Sequence, residues 1–141
     1  MTSAAAVLRV VLSLFVPPPV PIELVDVPPP STSENVEAFV DPTRHSICLV
    51  TSSATYLWAR RIERPEVDRD PFLKIASMIA HEAWHVRHAP DERAAYEAQL
   101  TTLAMLGREA GTPLYDTVAR AMRTVLKRQT SPTQLVMRLQ R

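Results

Sequence analysis

The chain opens on an apolar run, Ala4 to Val16, broken by Arg9 and followed at once by a proline cluster. At helical spacing Leu8, Val11, Leu12 and Phe15 share a face from which Arg9 points away, so the run is expected to be a helix laid on the domain. It is too short for a bilayer span, which needs about 20 residues. It also lacks a basic lead and a convincing small-residue cleavage site, which makes a secretory signal or membrane anchor the less favoured reading. From Pro17 to Ser33 the pattern is extended and proline-stiffened, with Ile22 to Val27 as a candidate edge strand between two proline clusters.

Two short segments follow, Val36 to Val40 and, past the turn at Asp41 and Pro42, Ser46 to Thr51. Their β-branched and apolar content predicts strands, and hence a small sheet of two or three strands. Ala54 to Ile62 reads as a short helix, and the charged run Arg60 to Asp70 as a surface connection. Asp70 and Pro71 supply an N-cap and a first-turn proline for a helix to about His88. Pro90 stops that helix, and Asp91 caps a second one running to Leu106 before Gly107, so the two form a helical hairpin. A last helix, about Pro113 to Arg128, carries Leu114, Val118, Met122 and Val125 at core spacing and is expected to back the hairpin. The fold class is α+β: a short sheet, a central helix and a helical C-terminal part. The expected organisation is an apolar segment and proline-rich arm over 1–33, a domain over 34–130 and a basic tail over 131–141.

Composition narrows the chemistry. With 141 residues, 46% hydrophobic, 22% charged and a net charge of +1, the chain is expected to form one soluble domain with a modest core. Only two glycines occur, Gly107 and Gly111, which excludes a glycine-rich phosphate loop and with it the common nucleotide enzymes. The single cysteine, Cys48, lies in an apolar strand and reads as a buried thiol, with no intramolecular disulfide available. After Asp116 there is no acid, only Arg120, Arg123, Lys127, Arg128, Arg138 and Arg141. Without interleaved aromatics this is a solvated positive face, so no nucleic-acid partner is expected. Membrane association through the N-terminal segment is open but not favoured.

The informative motif is His81-Glu82-Ala83-Trp84-His85. Two imidazoles four residues apart leave one helical face and can chelate a zinc ion, while Glu82, offset by one position, can reach a water without displacing a ligand. The pattern arises by chance in roughly one such sequence per hundred, so helical phase carries weight. Phe72, Ile75, Ile79, Ala83 and Val86 form an apolar stripe, and the two histidines lie opposite it with Lys74, Ser77 and Met78, facing a cleft or solvent.

For a third ligand, His88, Asp91, Glu92 and Glu97 are available. His88 is seven residues, about 10 Å, beyond His81 on a regular helix, too far to share an ion with both histidines. Glu92 lies on the stripe of Tyr96, Gln99, Leu103 and Leu106, where a carboxylate facing inward needs a partner. Glu97 points about 140° away, where an ion pair or solvation accounts for it, although it would lie more directly opposite the histidines. Glu92 is preferred and Glu97 is the alternative, with Asp91 and His88 behind them.

These residues resemble the zincin metallopeptidases, specifically the gluzincin branch, in which a glutamate on the helix after HExxH completes the zinc site. The matching stretches are His81 to His85 and Glu92-Arg93-Ala94-Ala95-Tyr96, with Tyr96 where the branch carries an acid. The resemblance covers roughly His45 to Gly107, and the chain can accommodate the architecture of the small proteins of this type, the minigluzincins, which keep a short sheet, the metal-binding helix and a reduced helical subdomain. The metzincin pattern would place Asp91 as third ligand, but His88 stands where that pattern needs glycine.

The resemblance implies zinc held by His81, His85 and Glu92, a peptide or protein substrate, and hydrolysis with Glu82 as general base. It also implies that Ser46 to Thr51 is the edge strand that aligns substrate through backbone pairing. Tyr96 and Tyr115 are candidate oxyanion donors, though packing is the commoner role for each, as it is for Trp84. Two other classes remain open. One is a non-catalytic zinc-binding regulatory protein, favoured if the proline arm blocks the cleft; the other is a helical protein-interaction module using Pro17 to Pro30 as a partner ligand.

Overall fold

A computed structural model describes residues 1–30, 36–88 and 90–129. In chain order the elements are α1 (Ala4–Ser13), β1 (Ile22–Val25), β2 (Ala38–Asp41), β3 (Ser46–Val50), α2 (Ala54–Arg61), α3 (Asp70–Arg87), α4 (Glu92–Met105) and α5 (Pro113–Gln129). The fold is α+β, with a small mixed sheet and helices that dominate the second half. The boundary expected near Ser33 and the basic tail over 131–141, with Arg138 and Arg141, lie outside the described residues.

The strand order is β1-β3-β2. β1 runs parallel to β3 with Ile22 opposite Ile47, and β2 runs antiparallel with Ala38 opposite Leu49 and Asp41 opposite Ser46. All five residues of β3 are buried, because an unbroken run with Ile47, Leu49 and Val50 suits a strand covered on both faces. This corrects the expectation for Ser46 to Thr51: that segment is the middle of the sheet and has no free edge to offer a substrate. The edges are β1 and β2. Val50 N–H donates to Glu37 C=O at 2.9 Å, so residues 37, 39 and 41 hold the hydrogen-bonded positions of the antiparallel pair. By the same alternation, the backbone N–H and C=O groups of Ala38 and Val40 point away from β3.

The N-terminal run forms a helix and docks as expected, one position out of phase. Ser3 Oγ caps α1 by accepting from Ala6 N–H at 3.1 Å. Val7 and Val11 are completely buried, Leu8, Leu12 and Phe15 half-buried, and Arg9 exposed. Three hydrogen bonds tie the segment to α2: Thr2 N–H to Arg60 C=O at 2.8 Å, Arg60 Nε to Thr2 C=O at 2.9 Å, and Tyr56 OH to Ala4 C=O at 2.7 Å. Residues of α1 and β1 therefore share one core with β3, α2 and α3.

Helix α3 is the centre of the molecule. Phe72, Ile75, Ala76, Ile79 and Ala83 pack with Val7, Val11, Ile47, Leu49 and Tyr56. Leu73 enters a second cluster with Leu100 and Leu103 of α4 and Leu114, Val118 and Ala119 of α5. Because helices cover it on the far side as well, Ser77 and Met78 on the histidine face are also buried, and Met78 lines the cleft expected there. The helix begins at Asp70, one residue before the expected start, and Asp70 does not serve as the cap. Its Oδ1 instead accepts from Arg108 Nε at 2.7 Å, joining the start of α3 to the α4–α5 turn. Asp91 does cap α4, Oδ1 accepting from Ala94 N–H at 3.2 Å, and Gly107 turns the chain after it with φ of 95°.

Candidate metal centre

The hairpin of α3 and α4 builds the site. His81 and His85 leave α3 one turn apart. His88 then becomes extended, Pro90 blocks helix continuation, and α4 restarts with Glu92 as its first residue. That restart directs Glu92 back at the histidines. Its Oε1 is 2.5 Å from His85 Nε2 and its Oε2 is 3.6 Å from His81 Nε2. All three ligand atoms lie within 4.8 Å of one another.

The donor set suits zinc. Two imidazole nitrogens and a carboxylate oxygen are donors that zinc takes, and atoms that lie within 4.8 Å of one another can share one ion. Two protein nitrogens and one oxygen also leave a fourth position free, the pattern of catalytic rather than structural sites.

The electrostatics reflect close packing of charge. Burial opposes a charge on His81, but hydrogen bonding toward Glu92, the negative charges of Glu82 and Glu92, and Gln99 together raise its pKa. Hydrogen bonding toward His81 lowers the pKa of Glu92 against the effect of burial, with both histidine charges adding to the lowering. Glu82 is pushed up to about 7, chiefly by burial and also by the charge of Glu92, while His81 pulls the other way. A carboxyl poised near neutrality, in the wall of the same cavity as the three donors, is suited to take and return a proton.

That cavity, about 530 Å³, has Val36 to Val40, leading into and along β2, on one side and Val118, Ala121 and Val125 of α5 on the other. Tyr96 also lines it, its ring edge-on to His81 with centroids 4.6 Å apart. Burial, reinforced by Glu92 and Glu82, raises the Tyr96 phenol.

The other candidates lie elsewhere. Tyr115 packs against the Leu73 cluster and does not line the cavity. Glu97 is exposed and outside it, and Asp91 is engaged as the α4 cap. His88 is exposed and stacks on Trp84 at 4.6 Å. Trp84, His88 and Arg87 line a separate groove together with Phe15 to Pro19. Pro17 to Pro19 of the proline arm line that groove, and no described residue of the arm lines the cavity over the histidines.

Gln99 is the residue whose role the sequence did not disclose. It falls on the Glu92 stripe, and in the structure it is buried with Oε1 2.9 Å from His81 Nδ1 and Nε2 donating to Ser77 Oγ at 3.2 Å. The available signal was a polar residue on an inward face, which requires a partner. Nearby, Glu37 of the β2 segment pairs with Lys74 at 3.3 Å and accepts from Thr55 N–H at 2.9 Å, holding the sheet edge against α3.

A second grouping of possible ligands, Glu23, Asp41 and Cys48, is otherwise engaged. Arg44 binds Glu23 at 3.1 Å, and Asp41 accepts from Thr43 and Arg44 N–H. Burial raises the Cys48 thiol, disfavouring the thiolate that a metal requires. Comparison of the chain with protein-family models, characterised proteins and solved structures found no match.

Proposed function

We propose that the protein is a zinc-dependent metallopeptidase with a small zincin-like domain of the gluzincin type. The observation that carries this reading is the meeting of Glu92 with both histidines of the HExxH helix, in a cavity that also contains Glu82. The outer backbone edge of β2 along one wall, unpaired among the described residues, supports it: Ala38 and Val40 can pair with an extended peptide, the role the resemblance assigns to Ser46 to Thr51.

In this reading His81, His85 and Glu92 hold the ion. Bound zinc supplies an acidified water and polarises the scissile carbonyl. Glu82 accepts the proton of the attacking water and delivers it to the leaving amine. Its half-buried position lets the neutral and charged forms exchange near neutral pH, which both halves of that transfer need. Tyr96 is the candidate donor to the oxyanion, since its ring borders His81 in the cavity wall. β2 holds the peptide extended, and α5 presents the apolar surface of Val118, Ala121 and Val125 to its side chains.

The test combines elemental analysis with hydrolysis of a mixed peptide library. Wild type is expected to carry about one zinc per chain and to cleave peptides. Glu82→Gln should keep the zinc and lose hydrolysis, and His81→Ala should lose both. Retention of zinc with no cleavage by wild type would favour a regulatory zinc protein, and no zinc after remetallation would remove the reading.

A further inference from the structure

We infer that Gln99 and Ser77 form an uncharged relay that selects the metal-binding tautomer of His81; this rests on zinc as the ligand of the site only for its affinity arm. The relay is a chain of directed hydrogen bonds inside the hairpin. Ser77, with no exposed surface, donates its hydroxyl hydrogen to Lys74 C=O at 2.6 Å. A hydroxyl has one hydrogen, so toward Gln99 it can only accept. The contact of 3.2 Å between Ser77 Oγ and Gln99 must therefore be made by the amide nitrogen. This orients the amide with Oε1 toward His81.

A carbonyl oxygen only accepts, so its 2.9 Å contact with His81 Nδ1 requires the hydrogen on Nδ1. The lone pair then remains on Nε2, the nitrogen directed at Glu92 and the candidate ion. Polarity thus passes from an α3 carbonyl through Ser77 and Gln99 to a ligand on the same helix, with α4 supplying the bridge.

The relay differs in charge from the carboxylate that commonly orients a metal-bound histidine. An amide fixes the ring without adding a negative charge. Gln99 is a positioning residue, as it touches the ligand and not the reacting atoms.

Two measurements test this. The first is nitrogen-15 NMR of the imidazole rings in the zinc-free protein at alkaline pH, where His81 is neutral. The hydrogen is expected on Nδ1 in wild type, with that preference lost in Gln99→Leu. The second is zinc affinity by chelator competition. Gln99→Leu should bind zinc roughly 10- to 100-fold more weakly, and Gln99→Glu, which keeps an acceptor, should recover the affinity. Ser77→Ala, which releases the amide but leaves it present, should fall between wild type and Gln99→Leu. A wild-type His81 carrying its hydrogen on Nε2 would overturn the relay whatever the zinc results. So would a folded Gln99→Leu that binds zinc as wild type does. Failure of wild type to bind zinc would instead remove the proposed function, leaving the tautomer result to decide the relay independently.

Discussion

His85 Nε2 and Glu92 Oε1 stand 2.5 Å apart although six residues and a helix break separate them in the chain. The break makes the contact. Had α3 continued as one helix, Glu92 would lie about 10 Å further along the axis than His85. Pro90 ends that possibility, and the Asp91 cap starts α4 so that its first side chain points back across the hairpin.

The choice between acids is therefore open to direct measurement. Glu92→Ala is expected to lose zinc binding at micromolar metal, and Glu97→Ala to bind as wild type does. Isothermal titration of the two variants checks this, and loss of zinc in Glu97→Ala alone would reverse the assignment.

The metal-free protein should lose stability as pH rises from acid to neutral. Glu82 has its ordinary value of 4.5 raised to about 7 in the fold, so the fold prefers its protonated form. Stability is then lost progressively above pH 4.5 and levels off above about 7. His81, also raised, acts in the same direction: its contribution is full below 6.5 and disappears as pH passes its folded value. Glu92, lowered from 4.5, provides the opposite limb, its contribution being lost as pH falls through its folded value. Urea unfolding at pH 5 and pH 8 should differ by about 2 to 3 kcal/mol, with the acid condition more stable. Glu82→Gln should remove most of that difference, and a flat profile in the wild-type apoprotein would contradict the burial argument.

The outer edge of β2, unpaired among the described residues, makes a separate prediction. Proline is tolerated on an edge where its nitrogen faces away from the sheet, so Val40→Pro should fold and keep its zinc. It removes one outward N–H and should raise KM for peptides about fivefold, the equivalent of one hydrogen bond of about 1 kcal/mol. An unchanged KM would show that peptides do not pair there.

Helix α1 should act as part of the core. Val11→Ala removes buried methyl groups and is expected to cost about 2 kcal/mol. Tyr56→Phe deletes the hydroxyl that donates to Ala4 C=O, at a cost of about 1 kcal/mol. Denaturant midpoints report both, and an unchanged midpoint in Val11→Ala would mean that the segment is not docked in solution.

Much of this molecule could be read locally. The Pro71 start, the Asp91 cap and Gly107 placed α3 and α4 to within a residue, and the apolar run placed α1 to within three, since each signal acts within one helical turn. The spacing of His81 and His85 defined their common face for the same reason. What failed was non-local. Asp70 did not cap because Arg108, from beyond α4, claimed its carboxylate. The segment Ser46 to Thr51, an edge strand by family resemblance, lies in the middle because β1 and β2 pair on either side of it, which nothing within the segment records.

By itself, the sequence determined which side chains could carry the chemistry, because helical periodicity and capping depend on neighbours a few positions away. Tertiary structure decided which of them meet. The selection of Glu92 over Glu97 depends on how α4 packs across α3, and the role of Gln99 on a hydroxyl of the facing helix. The exposed strand edge beside the histidines depends on the order of strands joined only by long-range hydrogen bonds.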